Sequence, residues 1–176
     1  MLAAATYDHP VGAFVRRLKY AGDLSMARPL AAVLAEALRG RAEADVVVAV
    51  PLAATRLQER GYNQSLEVAR LLPEPWPGRL RPWLERVRDT PAQASLGARA
   101  RARNVSGAFR ADRHLEGFHV AVVDDVMTSG ATLDAAARAL KAVGAARVTG
   151  WVVARAVLES TGPPYPPGPV PPRVTS

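Results

Sequence analysis

VAVVDDVMTSGATL, residues 120–133, has the clearest structural pattern in the chain. Four apolar residues, typical of a strand buried in a parallel sheet, lead directly into two adjacent carboxylates, Asp124 and Asp125. A short loop rich in Thr, Ser and Gly follows and opens a helix. Ligands of open α/β sheets bind at the carboxyl ends of the strands. The stretch therefore predicts a ligand site where this strand ends.

The loop after the two aspartates has the composition of a phosphate-binding cradle. Gly130 lets the backbone approach a ligand closely, Thr128, Ser129 and Thr132 offer hydroxyl donors, and a helix start offers unpaired N–H groups. Two carboxylates beside a phosphate would repel it by about 1 kcal/mol at 4 Å even in water. A ribose and a Mg²⁺ ion remove this conflict, because carboxylates accept hydrogen bonds from hydroxyls and bind hard cations. An ordinary strand followed by a capped helix needs neither the acidic pair nor the three hydroxyls.

Apolar patterns on both sides predict an α/β fold with three layers and a mostly parallel sheet. The predicted strands and helices are strands over 45–50, 118–123 and 147–153 and helices over 11–20, 27–39 and 132–143. Residues 1–40 are expected to form a helical hood or cover, 52–72 a loop leading to a helix, and 80–87 an edge strand. The alternation of strands and helices implies parallel pairs with right-handed crossovers.

Length and composition favour one domain over residues 1–160, followed by a Pro-rich tail over 161–176 that is expected to be disordered. The 176 residues include no cysteine, so disulfides and thiolate metal sites are excluded. No apolar run approaches the roughly 20 residues of a membrane helix, and no signal peptide is recognisable. A cytoplasmic protein without a membrane span is expected.

The formal net charge of +7 is concentrated in one part of the chain. Between residues 79 and 113 there are nine arginines against three acids. Clustered basic side chains bind nucleic acids by releasing counterions from phosphates. A GC-rich genome gives the alternative explanation, because it enriches a sequence in Arg, Ala and Pro. Within this part, residues 88–106 have no sustained apolar period and are predicted to be a long loop, which is either functional or disordered.

The stretch VAVVDDVMTSGAT resembles the binding motif for phosphoribosyl pyrophosphate (PRPP) of type I phosphoribosyltransferases. The resemblance implies that Asp124 and Asp125 are the catalytic pair, holding the ribose and binding Mg²⁺ indirectly or through PRPP. It also implies that the PRPP 5-phosphate is bound by the six residues Met127, Thr128, Ser129, Gly130, Ala131 and Thr132.

Three further stretches resemble the ComF subgroup of that family, which is linked with competence for DNA uptake. They are LKYAGD (18–23), VPLAATRLQERGYNQ (50–64) and RDTPAQASLGARARARNVSGAF (88–109). By this resemblance the pyrophosphate is bound by Pro51, Leu52, Arg56 and Arg60. The resemblance also implies a flexible loop that closes over PRPP and that contains Gln93, Arg99, Arg103 and Asn104.

The resemblance implies transfer of a phosphoribosyl group to a nitrogen acceptor, with release of pyrophosphate. The alternative is a non-catalytic PRPP-binding protein of natural transformation that binds single-stranded DNA through the basic stretch 79–113. The resemblance does not determine which nitrogen acceptor is used or whether the protein forms a homodimer. Many ComF relatives begin with a Cys-rich zinc module that this chain lacks, either naturally or because its start is truncated, so zinc is not predicted.

Several polar residues outside the motif have simple structural explanations. Arg60, Asn63 and Gln64 follow the first predicted strand, where they either face a ligand or merely cap a helix. Lys19 and Tyr20 end an amphipathic helix and are interpreted as surface packing.

Overall fold

A four-stranded parallel sheet forms the centre of the molecule. The computed structural model describes residues 1–41, 43–88, 105 and 107–156. Strands within this part of the chain are β1 (Leu2–Thr6), β2 (Val46–Ala49), β3 (Leu84–Arg86), β4 (Phe109–Ala111), β5 (His119–Met127) and β6 (Arg147–Arg155). The main sheet has the order β1-β6-β5-β2, and every neighbouring pair in it is parallel. Strand β5 therefore lies inside the sheet, between β6 and β2.

Helices cover both faces of the main sheet. Those in the described ranges are α1 (Val11–Tyr20), α2 (Ala27–Leu38), α3 (Ala54–Arg60), α4 (Gln64–Arg70), α5 (Trp76–Arg79) and α6 (Ala131–Ala142). One apolar cluster joins α1, α2 and α4 to the sheet through residues such as Val15, Leu34 and Val68. A second cluster joins α6 to the sheet through residues such as Ala136 and Leu140. The predicted three-layer α/β fold with a parallel sheet is confirmed.

The amino-terminal part differs from the predicted helical cover over residues 1–40. Helices α1 and α2 do pack on one face of the sheet, but Leu2–Thr6 is a strand at its edge. Leu2 pairs with Trp151 and Thr6 with Arg155. The prediction was wrong here because a five-residue, Ala-rich segment offers little β-branched character and no apolar alternation. Hydrogen-bonded pairing with β6 stabilises this segment as a strand although its own sequence has a low strand propensity.

Strand β5 is longer than predicted. It continues past Val123 to Met127, so Asp124 and Asp125 lie within the strand and Met127 is its final residue. The register with β6 runs from His119–Arg147 to Met127–Arg155. Two adjacent acids normally disfavour a strand, and tertiary pairing overrides that preference here.

The predicted edge strand over 80–87 does not join the main sheet as a full strand. Its residues Leu84–Arg86 pair with Phe109–Ala111 in a separate antiparallel ribbon. An isolated bridge, Val47 with Leu80, connects this segment to β2. The predicted tail over 161–176, and all of 88–106 except 88 and 105, lie outside the described residues.

No helix in the described part of the chain is long and apolar enough to cross a membrane.

Candidate functional site

Asp124 and Asp125 lie side by side near the carboxyl end of β5, and both are buried. The Ser65 hydroxyl, at the start of α4, donates a hydrogen bond of 3.2 Å to Oδ1 of Asp124. The same Asp124 oxygen accepts the backbone N–H of Asp125 at 2.9 Å. Polar partners therefore surround carboxylates that would otherwise be costly to bury.

Burial and the neighbouring carboxylate of Asp125 raise the pKa of Asp124 to about 7. Lys19 and the hydrogen bonds from the Asp125 backbone and from Ser65 oppose this rise but do not cancel it. The folded protein thus holds Asp124 close to its titration point at neutral pH. A buried acid in this condition is stabilised by a nearby cation or by groups that donate hydrogen bonds to it.

Lys19, the penultimate residue of α1, places a cation against Asp125. Its Nζ lies 3.0 Å from Oδ1 of Asp125, and the two side chains are 18% and 8% exposed. The interpretation of Lys19 as surface packing is therefore wrong. The contact could not be foreseen, because periodicity places Lys19 off the apolar stripe of α1 and cannot tell which element that face meets.

The predicted 5-phosphate residues form a turn between β5 and α6. Met127 ends the strand, Gly130 stands at the N-cap of α6, and Ala131 begins the helix. Gly130 has φ +78°, a left-handed conformation that glycine adopts without strain. The N-cap of α6 makes no side-chain capping hydrogen bond, so the first N–H groups of the helix are suited to a ligand or water.

The hydroxyl-bearing residues of this turn are accessible. Ser129 is exposed, and Thr128 and Thr132 are half-buried. The acidic residue in the first turn of α6 is Asp134, and it is exposed. The turn therefore combines a helix start that has no side-chain cap with three hydroxyl-bearing side chains, shortly after the acidic pair.

The predicted pyrophosphate residues follow the neighbouring strand. Val50 donates its N–H to the Val123 carbonyl, so the segment beginning at Pro51 leaves the sheet beside the acidic pair. Pro51 and Leu52 are half-buried and precede α3. Helix α3 was not predicted as a separate element, and it carries Arg56 and Arg60, both half-buried.

The segment between α3 and α4 has a structural function. Gly61, with φ +76°, ends α3, and the Asn63 side chain accepts the N–H groups of Ser65 and Leu66. Asn63 also donates to the Val50 carbonyl at 3.0 Å. The capping explanation therefore holds for Asn63. Gln64 is buried, and its Nε2 has no hydrogen-bond partner among the described residues.

The flexible-loop residues Gln93, Arg99, Arg103 and Asn104 lie outside the described residues. Within the described ranges no group of three or more His, Cys, Asp or Glu side chains could hold a metal. A pair of carboxylates nevertheless fits Mg²⁺ that arrives with phosphates, because Mg²⁺ is commonly bound through one or two carboxylates plus substrate oxygens and water. The ammonium of Lys19 on Asp125 shows that this carboxylate accepts a cation.

Two polar residues of the site, Lys19 and Ser65, were not singled out as site residues from the sequence. Ser65 and Asp124 are 59 positions apart in the chain, and their contact arises because α4 packs against β5. The resemblance of LKYAGD and of RGYNQ to ComF stretches was the one available signal that these segments meet the site.

Comparisons with known proteins identify the family of this chain. Residues 22–166 match the family described as phosphoribosyl transferase domain. DNA utilization protein YhgH of Salmonella typhi is 34% identical over 165 residues, covering 88% of this chain and 71% of that protein. YhgH of Escherichia coli K12 is 33% identical with the same coverage. Competence protein F of Haemophilus influenzae is 31% identical over 169 residues, covering 89% of this chain and 72% of that protein.

Two solved structures resemble the chain more distantly. The allosteric regulatory enzyme of purine biosynthesis is 24% identical, with a TM-score of 0.46 over 74% of this chain and 26% of that chain. A purine phosphoribosyltransferase from Pyrococcus horikoshii is 17% identical, with a TM-score of 0.43 over 79% of each chain. On the sequence matches, the chain belongs to the phosphoribosyltransferase domain family and, within it, to the ComF group that includes YhgH and competence protein F.

Proposed function

We propose that this protein binds PRPP with Mg²⁺ at the carboxyl ends of β5 and β2. The observation that carries the proposal is the order of features along β5 and its turn. A buried acidic pair is followed within five residues by a left-handed glycine and an uncapped helix start. Family membership supports the same ligand.

Each part of PRPP has matching chemistry in this arrangement. The 5-phosphate fits the amides and hydroxyls of the turn 127–132, because a helix N-terminus favours negative charge. The ribose hydroxyls fit the carboxylates of Asp124 and Asp125. The pyrophosphate fits the segment from Pro51 to Arg60, since arginine binds phosphate oxygens through paired donors.

Asp124 and Asp125, together with the pyrophosphate, would hold Mg²⁺, which would supply positive charge to neutralise the leaving group. Asp124 and Asp125 fix the ribose ring, and Ser65 and Lys19 fix the two carboxylates. Arg56 and Arg60 favour charge that develops on pyrophosphate.

For catalysis we propose displacement of pyrophosphate from C1 of PRPP by a nitrogen nucleophile. The new bond joins nitrogen to C1, and the C1–oxygen bond breaks with its electron pair leaving on pyrophosphate. This reaction needs positioning and charge stabilisation rather than a nucleophilic side chain. Asp124 and Asp125 are the residues to which we assign the catalytic contacts.

Thermal unfolding with and without PRPP and Mg²⁺ tests the binding proposal. Ligand at 100-fold its dissociation constant adds about 2.7 kcal/mol to the free energy of unfolding. For a domain of this size we expect the midpoint to rise by about 5–10 °C. Inorganic phosphate with Mg²⁺ at the same concentration serves as the control and should give a much smaller rise. An unchanged midpoint with saturating PRPP and Mg²⁺ contradicts the proposal.

A second candidate function is binding of single-stranded DNA by the basic stretch 79–113. It is supported by the names of the relatives, a DNA utilization protein and a competence protein. Several arginines at the described ends of this stretch are already engaged within the protein. Arg79 donates to the Ala44 carbonyl, Arg81 to the Gly78 carbonyl and Arg110 to Glu85. We therefore assign DNA contact to the arginines 99, 101 and 103.

Binding of a single-stranded oligonucleotide at several salt concentrations checks this second function. We expect affinity to fall steeply as salt rises, because each phosphate contact releases counterions. Replacing Arg99, Arg101 and Arg103 by Ala should flatten the slope of log affinity against log salt by about 0.7 for each phosphate that is no longer bound. Replacement of Arg16, Arg28 and Arg138, which are exposed on α1, α2 and α6, by Ala is the matched control. Equal slopes for the two triple variants would show that Arg99, Arg101 and Arg103 do not bind the DNA.

A further inference from the structure

Lys19 makes an ion pair with one of the two carboxylates assigned to PRPP and Mg²⁺. The Nζ–Oδ1 distance to Asp125 is 3.0 Å, and less than a fifth of either side chain is exposed. A surface ion pair contributes little, whereas a mostly buried one is strongly coupled to its surroundings. The charge of Lys19 therefore acts on the acidic pair of the site, and its side chain does not belong to the solvent-exposed face of α1.

Contacts from the neighbouring segment hold the carboxyl end of α1 in place. The Tyr62 hydroxyl, between α3 and α4, donates to the carbonyl of Leu18. On the other side of Lys19, the guanidinium of Arg60 lies 5.6 Å from the centre of the Tyr20 ring, a cation–π distance. Lys19 thus lies between Leu18, which is contacted by Tyr62 just after the segment that we assign to pyrophosphate, and Tyr20, which is contacted by Arg60 at the end of that segment.

The rest of the LKYAGD stretch ends the helix directly after this lysine. Gly22 has φ +67°, which turns the chain, and the Asp23 carboxylate accepts the N–H of Ser25 at 3.2 Å. Asp23 also pairs with Arg17 at 2.6 Å. These contacts fix the turn after Tyr20, and the backbone of Lys19 is fixed with it. The stretch that the sequence resemblance left without a chemical role therefore places one ammonium group on Asp125.

We propose that Lys19 is a positioning residue of the PRPP site, whose ammonium holds Asp125 and competes with Mg²⁺ for the same carboxylate. The inference rests on the proposed function. Two adjacent buried carboxylates repel an incoming phosphate, and a cation must offset them. In the described structure Lys19 provides such a cation.

With PRPP and Mg²⁺ bound, Asp124 and Asp125 would hold the metal, and its charge would offset the acidic pair in place of the Lys19 ammonium. A lysine ammonium is a compact charge on a flexible stem, so a small movement lets it contact a phosphate oxygen instead. Lys19 and Mg²⁺ are therefore partly interchangeable. The lysine matters most for PRPP affinity when the metal is scarce.

Calorimetric titration of PRPP into the full chain tests this inference, with excess Mg²⁺ and again with EDTA. The measured quantity is the ratio of the dissociation constant in EDTA to that in Mg²⁺. For Lys19→Met we expect this ratio to rise at least about tenfold over the unsubstituted protein, because without the metal nothing then replaces the cation that offsets the repulsion between the acidic pair and the phosphates. With Mg²⁺ present, its affinity should stay within about threefold of the unsubstituted protein.

Two controls separate the charge from its position. Lys19→Arg keeps the charge and should keep the ratio within about threefold. Lys141→Met removes the chain's other lysine, which is exposed in the last turn of α6, and should leave the ratio unchanged. If Lys19→Met does not fold, Lys19→Gln gives the same comparison.

A lysine that only supports the fold would weaken PRPP binding equally in Mg²⁺ and in EDTA, and equal ratios for Lys19→Met and the unsubstituted protein overturn the inference. The proposed function fails separately, if the unsubstituted protein binds PRPP in neither condition.

Discussion

Replacing Asp125 by Asn is expected to weaken binding of PRPP with Mg²⁺ at least about 100-fold. Each hydrogen bond to a charged group is worth about 1.5–3 kcal/mol, and the substitution removes the charge that binds the ribose and the metal. It also leaves the ammonium of Lys19 without its carboxylate partner at 3.0 Å. Loss of one partner of a buried ion pair is destabilising, so the free energy of unfolding should fall together with the affinity.

Titration calorimetry of PRPP in the presence of Mg²⁺ measures this effect. Asp112→Asn makes the same change of charge at an exposed residue just after β4 and is the matched control. The control should bind PRPP within about threefold of the unsubstituted protein, since an exposed distant charge is screened. If Asp125→Asn folds and binds PRPP as tightly as the unsubstituted protein, Asp125 is not part of the PRPP site.

Replacing Asp124 by Asn is expected to stabilise the protein at alkaline pH and to weaken PRPP binding at the same time. Burial and the carboxylate of Asp125 raise the pKa of Asp124 from 3.8 to about 7. The folded protein therefore carries the free-energy cost of a desolvated charge above neutral pH, and the neutral amide removes that cost. A gain in stability with a loss of ligand is typical of residues kept for binding.

The pH dependence follows from the direction of this pKa change. Below about pH 4, the pKa of Asp124 in the unfolded chain, its carboxyl group is protonated in both the folded and the unfolded protein. The contribution of Asp124 to the free energy of unfolding is then at its most favourable. As pH rises toward about 7, the unfolded chain releases its proton while folded Asp124 keeps it, so the free energy of unfolding falls. Each pKa unit corresponds to about 1.4 kcal/mol, so the total decrease amounts to several kcal/mol.

Urea unfolding of the unsubstituted protein and of Asp124→Asn at about pH 5 and about pH 8 measures the difference. Burial lowers the pKa of His119, which makes stability rise with pH, but this contribution is common to both proteins and cancels in the comparison. The stability difference in favour of Asn should grow from the lower to the higher pH. A difference that is constant with pH would show that Asp124 has an ordinary pKa in the folded protein.

The parts of the fold with strong local patterns could be predicted from the sequence. The continuously apolar stretches around Val48, Val122 and Val152 became β2, β5 and β6, and the Ala-rich stripe before Gly144 became α6. Strand β1 was missed because Leu2–Thr6 has no local strand signal and is stabilised by pairing with β6. Helix α3 was missed because its seven residues are exposed or half-buried and carry no apolar stripe.

Of the candidate site, too, the part that is contiguous in sequence could be predicted, and the part that depends on tertiary packing could not. The Asp124–Thr132 segment is contiguous in sequence, so its chemistry could be inferred from residue types and order alone. Lys19 and Ser65 reach the aspartates only through packing of α1 and α4 against the sheet. Which face of a helix meets a functional strand is set by tertiary contacts, and a single sequence does not contain that information.

A crystal structure of the protein with PRPP and Mn²⁺ would show whether the turn 127–132 and the acidic pair together hold PRPP. We predict the 5-phosphate at the amino end of α6, with the ribose against Asp124 and Asp125 and the anomalous signal of Mn²⁺ beside them. The opposite end of the sheet offers a cavity lined by Arg41, His119 and Arg147. PRPP bound there, with the turn after β5 left empty, would contradict the claim.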